Sequence, residues 1–250
     1  MSVIEFTRVS KTYERELGSK AHPALKDLSF KLEVGQTLGL IGANGAGKST
    51  CLRLLMDFIR PNAGTITLLG KVPGSYDVRR NIGYLPEIAG FPANLTVLDM
   101  LRFTGKSCGL DYRLMTERSE ELLCKLELWE ARKKPLRSYS KGMQQRASFA
   151  VALVNDPNLL ILDEPMSGLD PLGRDKIISL IHDLKLQGKS ILFCSHILED
   201  VDRLVDSLLI LHKGQKLFDG SAAELCTEMG AKSMVDAFLA LLRQKGFVNG

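Results

Sequence analysis

The 250-residue chain has a net charge of +4, with 45% hydrophobic and 25% charged residues, the balance of a globular domain long enough to bury a core. No apolar run approaches the ~20 residues that cross a bilayer, and MSVIEFTRVSKTYER lacks the basic-then-apolar order of a secretory signal. So mild a charge gives no ground for nucleic-acid binding, and the one dense basic run, Arg132, Lys133, Lys134 and Arg137, reads as a solvated face, with a partner or lipid-headgroup contact as the alternative.

The elements follow in chain order. Val3 to Val9 and Leu28 to Val34 alternate apolar and polar residues, as half-buried strands do. Gln36 to Ile41 is a short apolar strand that runs into a glycine-rich turn. A helix is predicted from Lys48, with Leu52, Leu54, Leu55 and Ile59 on its buried side, stopping before Pro61. Thr65 to Leu69 and Ile82 to Leu85 read as further strands. From Thr96 to Asn155 the pattern turns helical, with helices opening near Leu98, over Met115 to Leu126 and over Gly142 to Asn155. Leu159 to Leu162 and Ser190 to Cys194 are apolar runs suited to strands covered on both faces, with a helix between them at Gly173 to Gln187. A hairpin is predicted over Ser207 to Phe218 with Lys213-Gly214 at its turn, and an amphipathic helix over Ser233 to Lys245. The apolar face of that last helix, Met234, Phe238, Leu241 and Leu242, is expected to pack on its own core, with a partner as the alternative. The five cysteines show no metal-ligand or disulfide spacing and read as free, mostly packed thiols; Trp129, beside Leu126 and Leu128, reads as packing.

The loop Gly42, Ala43, Asn44, Gly45, Ala46, Gly47, Lys48, Ser49, Thr50 contains GxxxxGK[ST] between a predicted strand and a predicted helix. Glycines there let backbone N–H groups approach phosphate oxygens, and the helix N-terminus favours the anion. Lys48 supplies positive charge to the β- and γ-phosphates, and Ser49 a hydroxyl ligand to Mg²⁺. Chance alone would place these four fixed positions in roughly one chain of this size in a hundred. Further on, LLILDEP sets Asp163 and Glu164 at the end of a buried strand, the edge at which α/β folds bind ligands. Asp163 can reach a Mg²⁺ shell, and Glu164 can polarise a water for attack on the γ-phosphate.

With these motifs the chain resembles the ATP-binding-cassette (ABC) ATPases. YSKGMQQR (Tyr139 to Arg146) is similar to the family signature, SGLD (Ser167 to Asp170) to its D-loop, and Ser195-His196 to its switch histidine. Tyr13, in KTYE, stands where the family places an aromatic on adenine. The resemblance implies that Ser140 and Gly142 contact the γ-phosphate of ATP held by a second copy, and that His196 senses that phosphate. Two positions depart from the family pattern. Lys141 and Met143 replace the usual Gly and Gln of the signature, and IGYLPE ends in Glu87 where the family has a glutamine; the carboxylate can meet Mg²⁺ or its water. Both variants look like the exporter branch with separate ATPase and membrane chains.

The implied fold is a P-loop NTPase α/β core, a mixed sheet flanked by helices, with an antiparallel β subdomain and an inserted helical subdomain. One ATP-binding domain is expected over 1–245, with the helical insertion at about 90–156 and a helical tail at about 221–250. The implied function is a transport ATPase binding ATP and Mg²⁺, working as a homodimer on a separate polytopic permease at the inner face of the cell membrane, most simply in export. The alternative is a soluble ABC ATPase acting in assembly of a cofactor or complex.

Overall fold

The structure, a computed structural model, describes residues 1–14 and 21–247, and it divides into two compact units. One comprises Met1–Pro73 with Leu192–Gly250, the other Gly74–Ile191. The chain opens with β1 (Ser2–Tyr13), β2 (His22–Glu33), β3 (Thr37–Ile41), α1 (Lys48–Leu55) and β4 (Ala63–Leu68). It continues with α2 (Tyr76–Arg80), β5 (Ile82–Leu85), α3 (Val97–Ser107), α4 (Tyr112–Lys125), α5 (Lys141–Leu153), β6 (Leu159–Asp163) and α6 (Pro171–Leu186). The last elements are β7 (Ser190–Ser195), α7 (Leu198–Leu204), β8 (Ser207–His212), β9 (Gln215–Gly220), α8 (Ala222–Met229) and α9 (Met234–Gln244).

In the first unit β2, β1 and β4 form an antiparallel sheet in that order. Phe6 pairs with Phe30 on one side and Ile66 on the other, and the two phenylalanine rings stack with centroids 4.6 Å apart. Both long strands exceed their predicted spans, for one reason. Arg8 and Asp27 each take a left-handed φ of 48°, and the register shifts beside them. Two successive side chains, Thr7-Arg8 and Lys26-Asp27, then face solvent, so alternation fails while pairing continues. The polar stretch from Glu14 to Pro23, longer than a simple turn, lies for residues 15–20 outside the described residues.

The same unit holds a mixed sheet in which β3 lies between β7 and β8, with β9 beyond β8. Strands β3 and β8 are parallel, from Leu38 opposite Ser207 to Ile41 opposite Ile210, and β8 and β9 are antiparallel around Lys213-Gly214. Every residue of β3 is buried, as its unbroken apolar run requires. Helix α1 is shorter than predicted. Asp57 turns left-handed at φ 56°, its N–H donates to the Leu54 carbonyl (3.1 Å), and the Phe58 N–H reaches back to Arg53 (2.9 Å). This paired closure ends the helix well ahead of Pro61 and leaves Ile59 half-buried outside it. Helix α7 was not among the predicted elements, whereas α8 falls within the predicted helical tail and is opened by a capping box of Ser221 and Glu224. Helix α9 packs on α8 and α7 with Met234, Ala237 and Leu241 buried, so the tail face does meet its own core. Beyond it, Phe247 stacks on His212 with ring centroids 3.8 Å apart.

In the second unit β5 and β6 pair in parallel, Ile82 opposite Leu159 and Leu85 opposite Leu162. Helices α3, α4 and α5 pack on one another, and α5 also covers β5. Gly83 permits that cover, since a Cβ there would stand 2.3 Å from the Ala152 carbonyl oxygen. The short helix α2 was not predicted. Trp129 is half-buried, and the Arg132 guanidinium lies 3.8 Å from its ring centroid while donating to the Trp129 carbonyl (2.6 Å). The other members of the basic run, Lys133, Lys134 and Arg137, are exposed. None of the described cysteines is in a disulfide: two are buried, two half-buried and Cys124 exposed, in keeping with mostly packed thiols.

Candidate functional site

The phosphate loop belongs to the first unit, between β3 and α1. Gly47, the N-cap of α1, sits at φ 113°, and a Cβ there would lie 2.8 Å from Leu25 Cδ2 and 2.9 Å from the Ala24 carbonyl oxygen. Glycine is thus demanded twice, by conformation and by space. Gly45 has φ 80° and nothing within 4 Å of its would-be Cβ, so its side of the loop is open. Having no side chain, Gly47 cannot cap α1, which leaves the N–H groups of the first turn to a ligand. Lys48 is 8% exposed, and its ammonium donates to the carbonyls of Gly42 (2.6 Å) and Ala43 (3.4 Å). A buried cation that donates to neutral carbonyls is suited to an anion.

Inside the loop, the Ala46 N–H donates to Ala43 (3.0 Å), and Ala46 in turn accepts from the N–H of Gly214 (2.9 Å), the turn residue between β8 and β9. Gly42 is equally confined: a Cβ would meet Leu211 O at 2.5 Å. The loop is therefore braced from the far end of the chain. Ser49 is exposed and Asn44 lies on the open rim, whereas Thr50 is buried with its Oγ1 3.5 Å from the Tyr13 hydroxyl. Tyr13 thus stands at the end of β1 beside α1, half-buried, with the Lys11 ammonium 5.7 Å from its ring centroid. His196 follows β7 directly and is exposed. Behind the loop, burial pushes the Cys51 thiol up to about 12.

The carboxylates belong to the second unit. Asp163 ends β6 and Glu164 follows with φ 46°, a left-handed conformation rare for this residue; each is 9% exposed. Glu87 lies two residues past β5 and is exposed. Ser140 is the N-cap of α5, its hydroxyl accepting from the Met143 N–H (3.2 Å). Tyr139, just before it, is buried and donates to the Ala131 carbonyl (2.9 Å), which anchors the turn. A cavity of about 390 Å³ opens on this turn, lined by Ser140, Lys141, Gly142, Gly168, Asp170 and Lys176 among others, all from this unit. Asp170 also caps α6 through the Gly173 N–H (2.7 Å). The structure thus gathers the loop, Tyr13 and His196 in one unit, and Asp163, Glu164, Glu87, Ser140 and Gly142 in the other. Sequence reasoning gave Gly214 only its place in a hairpin turn, and gave no role to Gln145, whose amide nitrogen bonds the backbone after β6. Both contacts join residues far apart in sequence, and no local pattern announces them.

A family model described as "ABC transporter" matches residues 25–167. The chain belongs to the ABC transporter family. It has the α/β fold of that family's ATPase domains. An uncharacterised ABC transporter ATP-binding protein of Synechocystis is 44% identical over 230 residues, 90% of this chain and 64% of that protein. The chain therefore spans just under two thirds of that relative's length. The Nod factor export ATP-binding protein I of Sinorhizobium fredii is 38% identical, covering 94% of this chain and 67% of that one. Among solved structures, an ATP-binding subunit of an ABC transporter superposes with TM-score 0.87 at 30% identity, over 96% of this chain and 99% of that one. Among the described residues, no helix of this ABC protein is long and apolar enough to cross a membrane.

Proposed function

We propose that this subunit hydrolyses Mg-ATP and couples closure of a homodimer to a separate polytopic permease, in export. The observation that carries the ATP reading is the buried Lys48 ammonium at an uncapped helix start headed by left-handed Gly47. In this reading Gly42 to Thr50 cradle the phosphates, Lys48 neutralises them, Tyr13 meets the adenine and His196 meets the γ-phosphate. Among the described residues no cluster of three His, Cys, Asp or Glu side chains could hold a metal by itself. That suits Mg²⁺, which takes one or two protein oxygens together with substrate phosphates. Ser49 and Asp163 would supply those oxygens, with Glu87 reaching the ion or its water. Mg²⁺ would neutralise charge developing on the phosphoryl group; Glu164 would accept a proton from the attacking water.

The dimer is supported by the signature turn, where Ser140 and Gly142 line an open cavity and where the family resemblance places the phosphate of a second copy's nucleotide. Each signature would then serve the partner's nucleotide. Export is supported by the YLPE and YSKGM variants and by the relative named for Nod factor export. The domain bounds are part of this proposal: one ATP-binding domain over 1–245, with a helical insertion at about 90–156 and a tail at about 221–250. So is the location, cytoplasmic and held at the inner face of the membrane by the permease. The test is Glu164→Gln, expected to abolish steady-state hydrolysis, keep ATP binding and stabilise the dimer. Turnover at the normal rate in that variant would remove Glu164 from the role of base. Co-purification from detergent extracts is expected to yield a polytopic partner; a chain recovered alone from the soluble fraction would favour the assembly ATPase instead.

A further inference from the structure

Gln145 lies one turn into α5, the helix capped by Ser140, and is only 4% exposed. Its amide nitrogen donates to the carbonyls of Pro165 (2.9 Å) and Glu164 (3.4 Å). A primary amide has two N–H donors, and here two successive carbonyls receive them. The Glu164 carbonyl also accepts the Ser167 N–H (2.9 Å), which closes the turn into SGLD. Glu164 itself is held at φ 46°, where a residue with a Cβ remains only if its surroundings compel it. Backbone conformation sets the direction of the Cα–Cβ bond, and hence where the carboxylate emerges.

We infer that Gln145 is a positioning residue for hydrolysis: its amide clamps the carbonyls of Glu164 and Pro165 to the signature helix and thereby aims the Glu164 carboxylate. This rests on the reading of Glu164 as the base. It also gives the signature helix a direct mechanical link to that base within one chain. A shift of α5 when Ser140 and Gly142 engage phosphate would be passed to Glu164 through one side chain.

The test compares the full-length Gln145→Met, Gln145→Glu and Glu164→Gln variants in steady-state ATPase assays. Methionine keeps the length and loses both donors. Its kcat is expected to fall about tenfold or more, since misplacement of a reacting group by ~1 Å can cost ~100-fold, while KM for ATP stays within about twofold. Glutamate at 145 is acceptor-only when ionised and regains one donor when protonated. Its deficit relative to the unmodified chain is therefore expected to narrow as pH falls from about 8 to about 6, a trend that a purely structural lesion would not give. A kcat for Gln145→Met within twofold of normal, with Glu164→Gln inactive, would overturn the clamp and leave the base in place. Normal turnover by Glu164→Gln would remove the base and the clamp together. If Gln145→Met fails to fold, the Gln145→Glu pH profile decides, a flat ratio counting against the clamp.

Discussion

Truncating Lys48 to alanine separates nucleotide binding from folding, and the expected size of each effect can be worked out. Without nucleotide the ammonium makes one short and one long hydrogen bond to carbonyls and bears the cost of burial. Those terms oppose each other, so stability should change by about 1 kcal/mol at most. With nucleotide, a charge-assisted bond to phosphate is worth about 1.5–3 kcal/mol, a roughly ten- to hundredfold change in Kd. At ATP about 100 times the normal Kd, linkage stabilises the fold by about 2.7 kcal/mol; with a Kd weakened ~100-fold only about 0.4 kcal/mol remains. In a domain of this size ~1 kcal/mol moves Tm by about 2–4 °C, so the ATP-induced shift should fall from about 5–10 °C to about 1 °C. Thermal unfolding with Mg and a non-hydrolysable ATP analogue reads both quantities at once. A variant with its nucleotide-free Tm intact and a full ATP shift would refute the assignment of Lys48 to phosphate.

Three further substitutions probe the two units separately. Gly47→Ala forces a Cβ into contact with Leu25 and the Ala24 carbonyl at a left-handed position, and should lower stability by about 2–4 kcal/mol, seen as a lower urea midpoint. Gly142→Ala meets nothing closer than 3.6 Å and gains helix propensity of about 1 kcal/mol, so Tm should hold or rise. Its methyl would nonetheless intrude on the signature cavity, and ATPase activity should drop about tenfold or more; unchanged turnover would detach the signature from the phosphate. Cys51 keeps its proton up to about pH 12 in the fold, against an ordinary value of 9.0. The folded chain thus binds that proton more tightly, so the contribution is complete below pH ~9 and is lost as pH rises toward ~12. Cys51→Ala should flatten that alkaline loss, and iodoacetamide near neutral pH should label exposed Cys124 but not Cys51.

The loop and the pair Asp163-Glu164 could be read from sequence because phosphate and Mg²⁺ chemistry requires contiguous residues between a strand and a helix. Strands β3, β6 and β7 were legible for a related reason, since full burial leaves a largely apolar run. What escaped depends on backbone excursions. Left-handed Arg8 and Asp27 put the alternation of β1 and β2 out of phase, and left-handed Asp57 stopped α1 where composition alone would continue it. Gln145 stood in plain view within YSKGMQQR, yet its role depends on carbonyls about twenty positions downstream. Tyr13 was placed on adenine by resemblance alone, and the structure adds its proximity to Thr50.

The brace between Gly214 and Ala46 bears on how much polypeptide makes a nucleotide site. The stretch 25–167 that carries the family likeness includes the whole phosphate loop and both acidic residues. It excludes β8, which flanks β3, and it excludes Gly214, whose N–H holds the loop. A fragment cut at residue 167 would spell the phosphate loop, the signature and the acidic pair correctly while lacking the scaffold that gives the loop its shape. Recognisable lettering and a working cradle therefore have different minimum lengths, and the hairpin near the C-terminus is as much a part of the cradle as the glycines are.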